Sequence, residues 1–198
     1  SDSNMFWPSL GKPEDSELII AEGYSAISGI KAQRNPRTQA CIALRGKILN
    51  TWNLDMQKAM RSDIVKQILN AVLYSQYKRI IIAVDADDDG GHIASLLIAL
   101  FVKYTNVIQE GRLYYVNTPH YIFKKGNAPI KWSDEAKDCP KGYHTTTLKG
   151  LGGMDAKQIK TFIINEETRH LQKIVFDGLK CEKALDQAFS YGGEHWIL

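Results

Sequence analysis

Two periodicities alternate along this chain. The runs Glu17-Leu18-Ile19-Ile20-Ala21 and Arg79-Ile80-Ile81-Ile82-Ala83-Val84 are short, continuous and apolar, the pattern of strands buried on both faces. Leu113-Tyr114-Tyr115-Val116 predicts another strand, closed by Thr118-Pro119, and Tyr143 to Leu148 alternates as a strand does. Ile64, Val65, Ile68, Leu69 and Val72 recur at helical spacing between Asp55 and Tyr77, a stripe for packing on a sheet. Ile93 to Val102, Met154 to Ile164 and Leu179 to Phe189 read as further helices, and Ser25 as the cap of a helix after the first strand. Strands alternating with helices predict an α/β fold with a mostly parallel sheet flanked by helices. The first 15 residues, broken by Pro8, Gly11 and Pro13, read as an irregular lead-in with Phe6 and Trp7 as docking side chains. Asn127 to Lys141 looks like an excursion, so a boundary near Gly126 divides a core, 16–126, from a smaller α+β tail region, 127–198.

The most informative chemistry sits where the second apolar run ends. Asp85, Asp87, Asp88 and Asp89 follow it directly, then Gly90-Gly91-His92. Open α/β sheets bind ligands at the carboxyl ends of their strands. Carboxylates crowded there repel one another unless a hard, oxygen-preferring cation such as Mg²⁺ lies between them. The spacing also fits the first half of an EF-hand loop. That loop needs an acid at its twelfth position, where this chain has Leu96, and a preceding helix rather than a strand, so the EF-hand is rejected. A solvated acidic turn and a phosphoacceptor aspartate remain open at this level. Glu22 weighs against the solvated turn, because the first apolar run also delivers an acid to its end, followed by Gly23. If the two strands are neighbours, Glu22, Asp85 and Asp87 converge, a set suited to metal-assisted chemistry on a phosphodiester.

Four motifs in order carry a resemblance. Glu22-Gly23-Tyr24-Ser25-Ala26 is followed by Ala43-Leu44-Arg45-Gly46-Lys47-Ile48-Leu49-Asn50, by Asp85 through Ile93, and by Lys149-Gly150-Leu151-Gly152. From about Ser16 onward, ending with Glu167-Thr168-Arg169-His170-Leu171, the chain resembles the TOPRIM domain and tail of type IIA DNA topoisomerases, in the large, B-type subunit. The resemblance implies a Rossmann-like TOPRIM sheet and a catalytic set of Glu22, Asp85 and Asp87. It implies Mg²⁺, with Mn²⁺ as a substitute, held by these three and by Asp89. Two departures stand out: Tyr24 replaces the family's aspartate, and Ala43 its proline. Asp88 also adds a charge where the family has an apolar or small residue.

The resemblance divides the mechanism between chains. The attacking tyrosine belongs to a breakage-reunion subunit or domain, and ATP to a GHKL-type module outside this chain, since no Walker-type loop occurs. The expected assembly is a symmetric hetero-oligomer on double-stranded DNA, from a fragment or a separately encoded polypeptide as in some phage enzymes. Alone, the chain is expected to be inactive. A TOPRIM nuclease or primase, or a non-catalytic DNA-binding assembly piece, are the competing readings.

From Gly23 to Leu54 there is no acidic residue, whereas Lys31, Arg34, Arg37, Arg45 and Lys47 all fall inside. Gly46 between two cations allows close backbone approach to a phosphate. The motif match points to Lys47 and Asn50 as DNA contacts, with Arg45 in the same step; Lys149 reads as a contact for the DNA backbone or for the partner subunit, and His92 as a phosphate contact or as the residue that fixes its helix start. The formal charge of +3 is too small to announce nucleic-acid binding, so the local distribution carries that expectation. With 44% hydrophobic residues in 198, one good core can form. Cys41, Cys139 and Cys181 lack metal-ligand spacing and read as reduced thiols, and no apolar run reaches the roughly 20 residues of a membrane span. A cytoplasmic location is the expectation.

Overall fold

A computed structural model describes residues 5–148 and 150–176. Its main sheet contains β1 (Phe6–Trp7), β2 (Glu17–Glu22), β3 (Gln39–Leu44), β4 (Arg79–Ala83), β5 (Leu113–Asn117) and β9 (His170–Lys173), in the order β1-β3-β2-β4-β5-β9. The central four strands are parallel, and the edges β1 and β9 are antiparallel. The expected α/β class is what the chain adopts. Parallel neighbours need crossovers, supplied by α1 (Tyr24–Gln33) between β2 and β3, and by α2 (Met56–Ala59) and α3 (Asp63–Asn70) between β3 and β4. Helix α4 (Asp88–Tyr104) connects β4 to β5.

Side chains alternate across each strand, and so do the two cores. Leu18, Ile20, Ile42, Ile80 and Ile82 face one cluster with Val65, Ile68, Leu97 and Phe101 from α3 and α4. Ile19, Ala21, Cys41, Ile81 and Ala83 face another with Ile27 and Ile30 of α1, and with Leu151, Ile159 and Phe162 from the tail. Both faces of the parallel strands are covered, which is why the runs are continuously apolar.

Several boundaries differ from the sequence reading. Phe6 and Trp7 form a two-residue strand paired with Ile42 and Cys41, so the lead-in extends the sheet. The helical stretch before Tyr77 is broken into α2, capped by Asp55, and α3, capped by Ser62. It then runs through a π turn over Ala71–Ser75. Helix α1 is capped by Gly23 rather than Ser25, with no side-chain cap bond. Helix α4 begins at Asp88, because the Asp87 carboxylate accepts the Gly90 amide at 2.7 Å and caps it before the glycine pair. The expected helix Met154 to Ile164 is a short α5 (Ala156–Ile159) continued by a π turn, Lys160–Ile164. The expected helix Leu179 to Phe189 lies outside the described residues.

Beyond β5 the chain builds a small antiparallel sheet from β6 (Tyr121–Lys124), β7 (Lys131–Ser133) and β8 (His144–Thr147), in the order β7-β6-β8. The tail then returns to the main sheet as β9 beside β5. The guanidinium of Arg169 reaches the far end of β2, where it forms a two-point ion pair with Glu17 (2.9 and 2.5 Å). Arg79 and Gln39 also bond this carboxylate, at 2.6 and 2.9 Å. Glu17, 2% exposed, thus ties β2, β3, β4 and the tail together. Burial alone pushes its carboxyl up, but the bonds from Arg169, Gln39 and Arg79 outweigh that and hold it below the ordinary range.

Candidate metal and DNA-cleavage site

Strand β2 is the branch point of the sheet. The chain leaves it for β3 on one side and returns to β4 on the other, so the switch point, where open α/β sheets bind ligands, lies at the carboxyl ends of β2 and β4. Ala21 pairs with Ala83, which places Glu22 and the Val84-Asp85 step side by side at that edge. Gly23 follows at φ 97°, a conformation that disfavours any side chain, and its amide bonds Leu44 O of β3 at 3.1 Å. Glu22 is half-buried, and Tyr24 opens α1 beside it, 78% exposed.

Asp85 is held from the tail. Leu151 N–H donates to its Oδ1 at 2.7 Å. Gly90, in the first turn of α4, packs on the Asp85 backbone, and a Cβ there would lie 1.9 Å from Asp85 O. Asp87 spends Oδ1 on the cap of α4. Asp85 and Asp87 line a groove of about 690 Å³ between the two sheets, with Asn117, His120, Asp134 and His170. Asp88 and Asp89 are exposed in the first turn of α4, where acids suit the helix dipole.

Among the described residues, no three His, Cys, Asp or Glu side chains stand close enough to enclose an ion. The two strands are neighbours, and the Asp85 and Asp87 carboxylates each accept one backbone amide, from Leu151 and from Gly90. The donor chemistry fits Mg²⁺ all the same. All the donors are oxygen, each carboxylate has lone pairs on both oxygens, and Mg²⁺ is commonly held by one or two carboxylates completed by water and substrate phosphate.

The expected DNA-contact residues separate by position. Arg45 and Lys47 are exposed on the loop that leaves the carboxyl end of β3, at the same edge as Glu22. Asn50 is also exposed, and its Oδ1 accepts Trp52 N–H at 3.1 Å, which shapes that loop. The far end of the loop is tied to α4, where the one Tyr104 hydroxyl proton is shared between Thr51 O and Leu54 O, 2.8 and 2.5 Å away. His92 is buried in α4, 2% exposed. Lys149 lies outside the described residues. Lys31, Arg34 and Arg37 sit at the opposite edge, because α1 carries the chain back to the start of β3. Arg34 donates to the carbonyls of Trp7, Pro8 and Gln39, and Lys31 covers the Trp7 ring at 4.6 Å. Both hold the lead-in strand. The sequence reading missed Glu17 and Arg169, whose signal was a lone acid beginning an apolar run and a lone arginine some 150 residues later.

The Toprim domain family matches residues 17–118, and the chain belongs to it. It is 34% identical over 194 residues to the DNA gyrase B protein of Archaeoglobus fulgidus, covering 90% of this chain and 30% of that protein. It is 33% identical over 182 residues to the DNA topoisomerase 4 B protein of Staphylococcus aureus, covering 81% of this chain and 28% of that protein. The chain is therefore related to the B-type subunits of type II DNA topoisomerases, and spans less than a third of the length of these curated relatives. The DNA-binding, cleavage and re-ligation domain of Plasmodium falciparum topoisomerase II shares the fold, with a TM-score of 0.79 at 20% identity over 95% of this chain and 29% of that one.

Proposed function

We propose that this chain supplies the metal-binding half of a type II DNA topoisomerase cleavage site, with the catalytic tyrosine contributed by a breakage-reunion partner. The observation that carries this reading is the pair of carboxylate-bearing strand ends, Glu22 on β2 and Asp85-x-Asp87 after β4, at the branch point of the sheet.

Glu22, Asp85 and Asp87 would hold a Mg²⁺ ion, with Asp89 as a further ligand. The bound ion would offset charge on the scissile phosphate and on the departing 3′ oxygen. The chain's own part is to set the ligands. Leu151 N–H fixes the Asp85 carboxylate, and the cap to Gly90 fixes Asp87. Arg45 and Lys47 receive the DNA backbone on the edge that carries Glu22, and Asn50 keeps their loop in shape. Tyr24 removes the family acid beside Glu22, and Asp88 adds one at the start of α4. ATP coupling belongs to a separate GHKL-type module, and double-stranded DNA and the tyrosine-bearing partner complete a symmetric assembly.

The test is DNA cleavage with Mg²⁺ by the chain mixed with a breakage-reunion partner, beside each alone. Covalent protein–DNA ends formed only in the mixture, and lost with Asp85→Ala, are expected. Free-ended cuts by this chain alone would identify a nuclease instead.

A further inference from the structure

The small sheet has a charged end and a site end. At the site end, Thr147, Leu148 and His120 line a depression together with Asp85 and Asp87. The subdomain's acids are here or engaged locally: Asp134 accepts His120 N–H, Asp138 bonds Ser133, and Glu135 pairs with Lys137.

The other end is basic. Residues 124–133 contain three lysines and no acid, and residues 139–148 contain Lys141 and no acid. The ladder brings these segments together, with Phe123 opposite both Lys131 and Thr145, and Lys124 opposite His144. Two ammonium groups converge on one ring: Lys125 Nζ lies 5.8 Å and Lys131 Nζ 5.5 Å from the Tyr143 centroid. The aliphatic stem of Lys125 also runs over Gly142. The ring offsets part of the repulsion between the two cations, and a bound anion would offset more of it. Lys124, Lys141 and His144 are exposed around the pair. Asp155, which shares a shallow groove with Lys124, has its carboxylate engaged in capping α5. The whole of β8, His-Thr-Thr-Thr, is exposed; Thr146 Oγ1 donates to Ile122 O, and Thr145 and Thr147 share the other face between this end and the carboxylates.

We propose that the Lys125–Lys131–Tyr143 cluster is a second contact for the phosphodiester backbone of DNA, gripping phosphates a few base pairs from the carboxylate site. The occupant follows from charge and spacing. From Tyr121 to Lys124 is three residues of strand, about 10 Å. At about 3.4 Å per nucleotide along a strand, this spans about three base pairs. The contact is to backbone and not to bases, because lysines on a ring supply point charges without a reading pattern. This inference rests on the site reading above.

The experiment is fluorescence anisotropy of duplex DNA with the 198-residue chain across a salt series, for wild type and for Lys125→Gln/Lys131→Gln. Tyr143 is kept so that the subdomain's packing is preserved, and the thermal transition is recorded alongside. Loss of two phosphate contacts lowers the salt slope by about 1.8 and weakens binding several-fold at physiological salt. Lys125→Arg/Lys131→Arg restores both. Wild-type binding with an unchanged slope in the glutamine variant overturns the proposal and leaves the site reading intact. Absence of salt-dependent duplex binding by wild type overturns both. Unchanged duplex binding with lost binding to phosphatidylserine vesicles would assign the cluster to a membrane surface, and also overturns it.

Discussion

The amide of Leu151 donates to Asp85 Oδ1 at 2.7 Å, linking the tail's Gly-Leu-Gly turn to the carboxylate at the end of β4. Residues 66 apart in sequence thereby share one ligand position. The same turn leans on α1, because a Cβ at Gly152 would lie 3.3 Å from Ser25 Cβ. The turn therefore bridges the strand end bearing Asp85 and the helix that starts just after Glu22.

Gly150 is the lever in this arrangement. A Cβ there would stand 3.0 Å from Asp85 Oδ1, close enough that the carboxylate or the turn has to shift. We expect Gly150→Ala to weaken Mn²⁺ binding several-fold, as small displacements of supporting groups do at metal sites, with little change in the thermal transition. Unchanged Mn²⁺ affinity by isothermal titration would show that the turn does not position the ligand.

The opposite end of β2 governs stability rather than chemistry. Removing the partner of a buried charge costs about 3–5 kcal/mol, and Arg79 and Gln39 remain to compensate in part. Arg169→Met is expected to destabilise the fold by about 3 kcal/mol in urea titrations. The pH dependence has a definite sign. In wild type the Glu17 carboxyl is held below its ordinary value of 4.5, so its stabilisation is present above that value and fades as pH falls through the folded pKa. Without Arg169 two of the contributions that lower the carboxyl are lost while its burial stays, so it moves up from its wild-type position. The gap between the two proteins should be widest near neutrality and close in acid.

Much of this was legible in the sequence, for identifiable reasons. The continuous apolar runs and the acids that end them specify the parallel strands, their burial and the edge of the site. Three local features were not legible. A two-residue strand such as Phe6–Trp7 is too short for periodicity to register, and it exists because Arg34 and Lys31 pin it to β3 and α1. The start of α4 was read too late because two glycines mask a helix whose cap is a carboxylate that also belongs to the site. The basic residues of 23–54 form one block in sequence, yet α1 sends Lys31, Arg34 and Arg37 to the edge away from Glu22. Contacts such as Glu17 with Arg169 depend on tertiary pairing across the chain, which no local pattern encodes.

That partition of the basic residues gives a direct comparison. Lys47→Ala should weaken duplex binding and lower its salt slope by about 0.9, the value for one phosphate. Arg37→Ala should leave both unchanged. Arg34→Ala should lower stability through the lost carbonyl bonds to the lead-in, with DNA affinity at matched folded fraction preserved. Equal effects of Lys47→Ala and Arg37→Ala on binding would contradict the assignment of the DNA edge.

The loop that carries Lys47 and Asn50 is held by Tyr104. Tyr104→Phe removes the donor to Thr51 O and Leu54 O and should cost about 1 kcal/mol. Hydrogen exchange should accelerate in residues 51–54 more than in β2 or β4. Uniform acceleration across the sheet would show that this hydroxyl supports the whole fold and not the loop.

The most direct test of the metal-site claim is Mn²⁺ titration followed by electron paramagnetic resonance, on wild type, Glu22→Gln, Asp85→Asn and Asp87→Asn, each with duplex DNA present. These isosteric changes remove a ligand charge while keeping side-chain volume. Saturable binding by wild type is expected, weakened at least about ten-fold in each variant, with Mg²⁺ competing for the same site. Wild-type binding that all three variants retain would place the ion elsewhere and contradict the account.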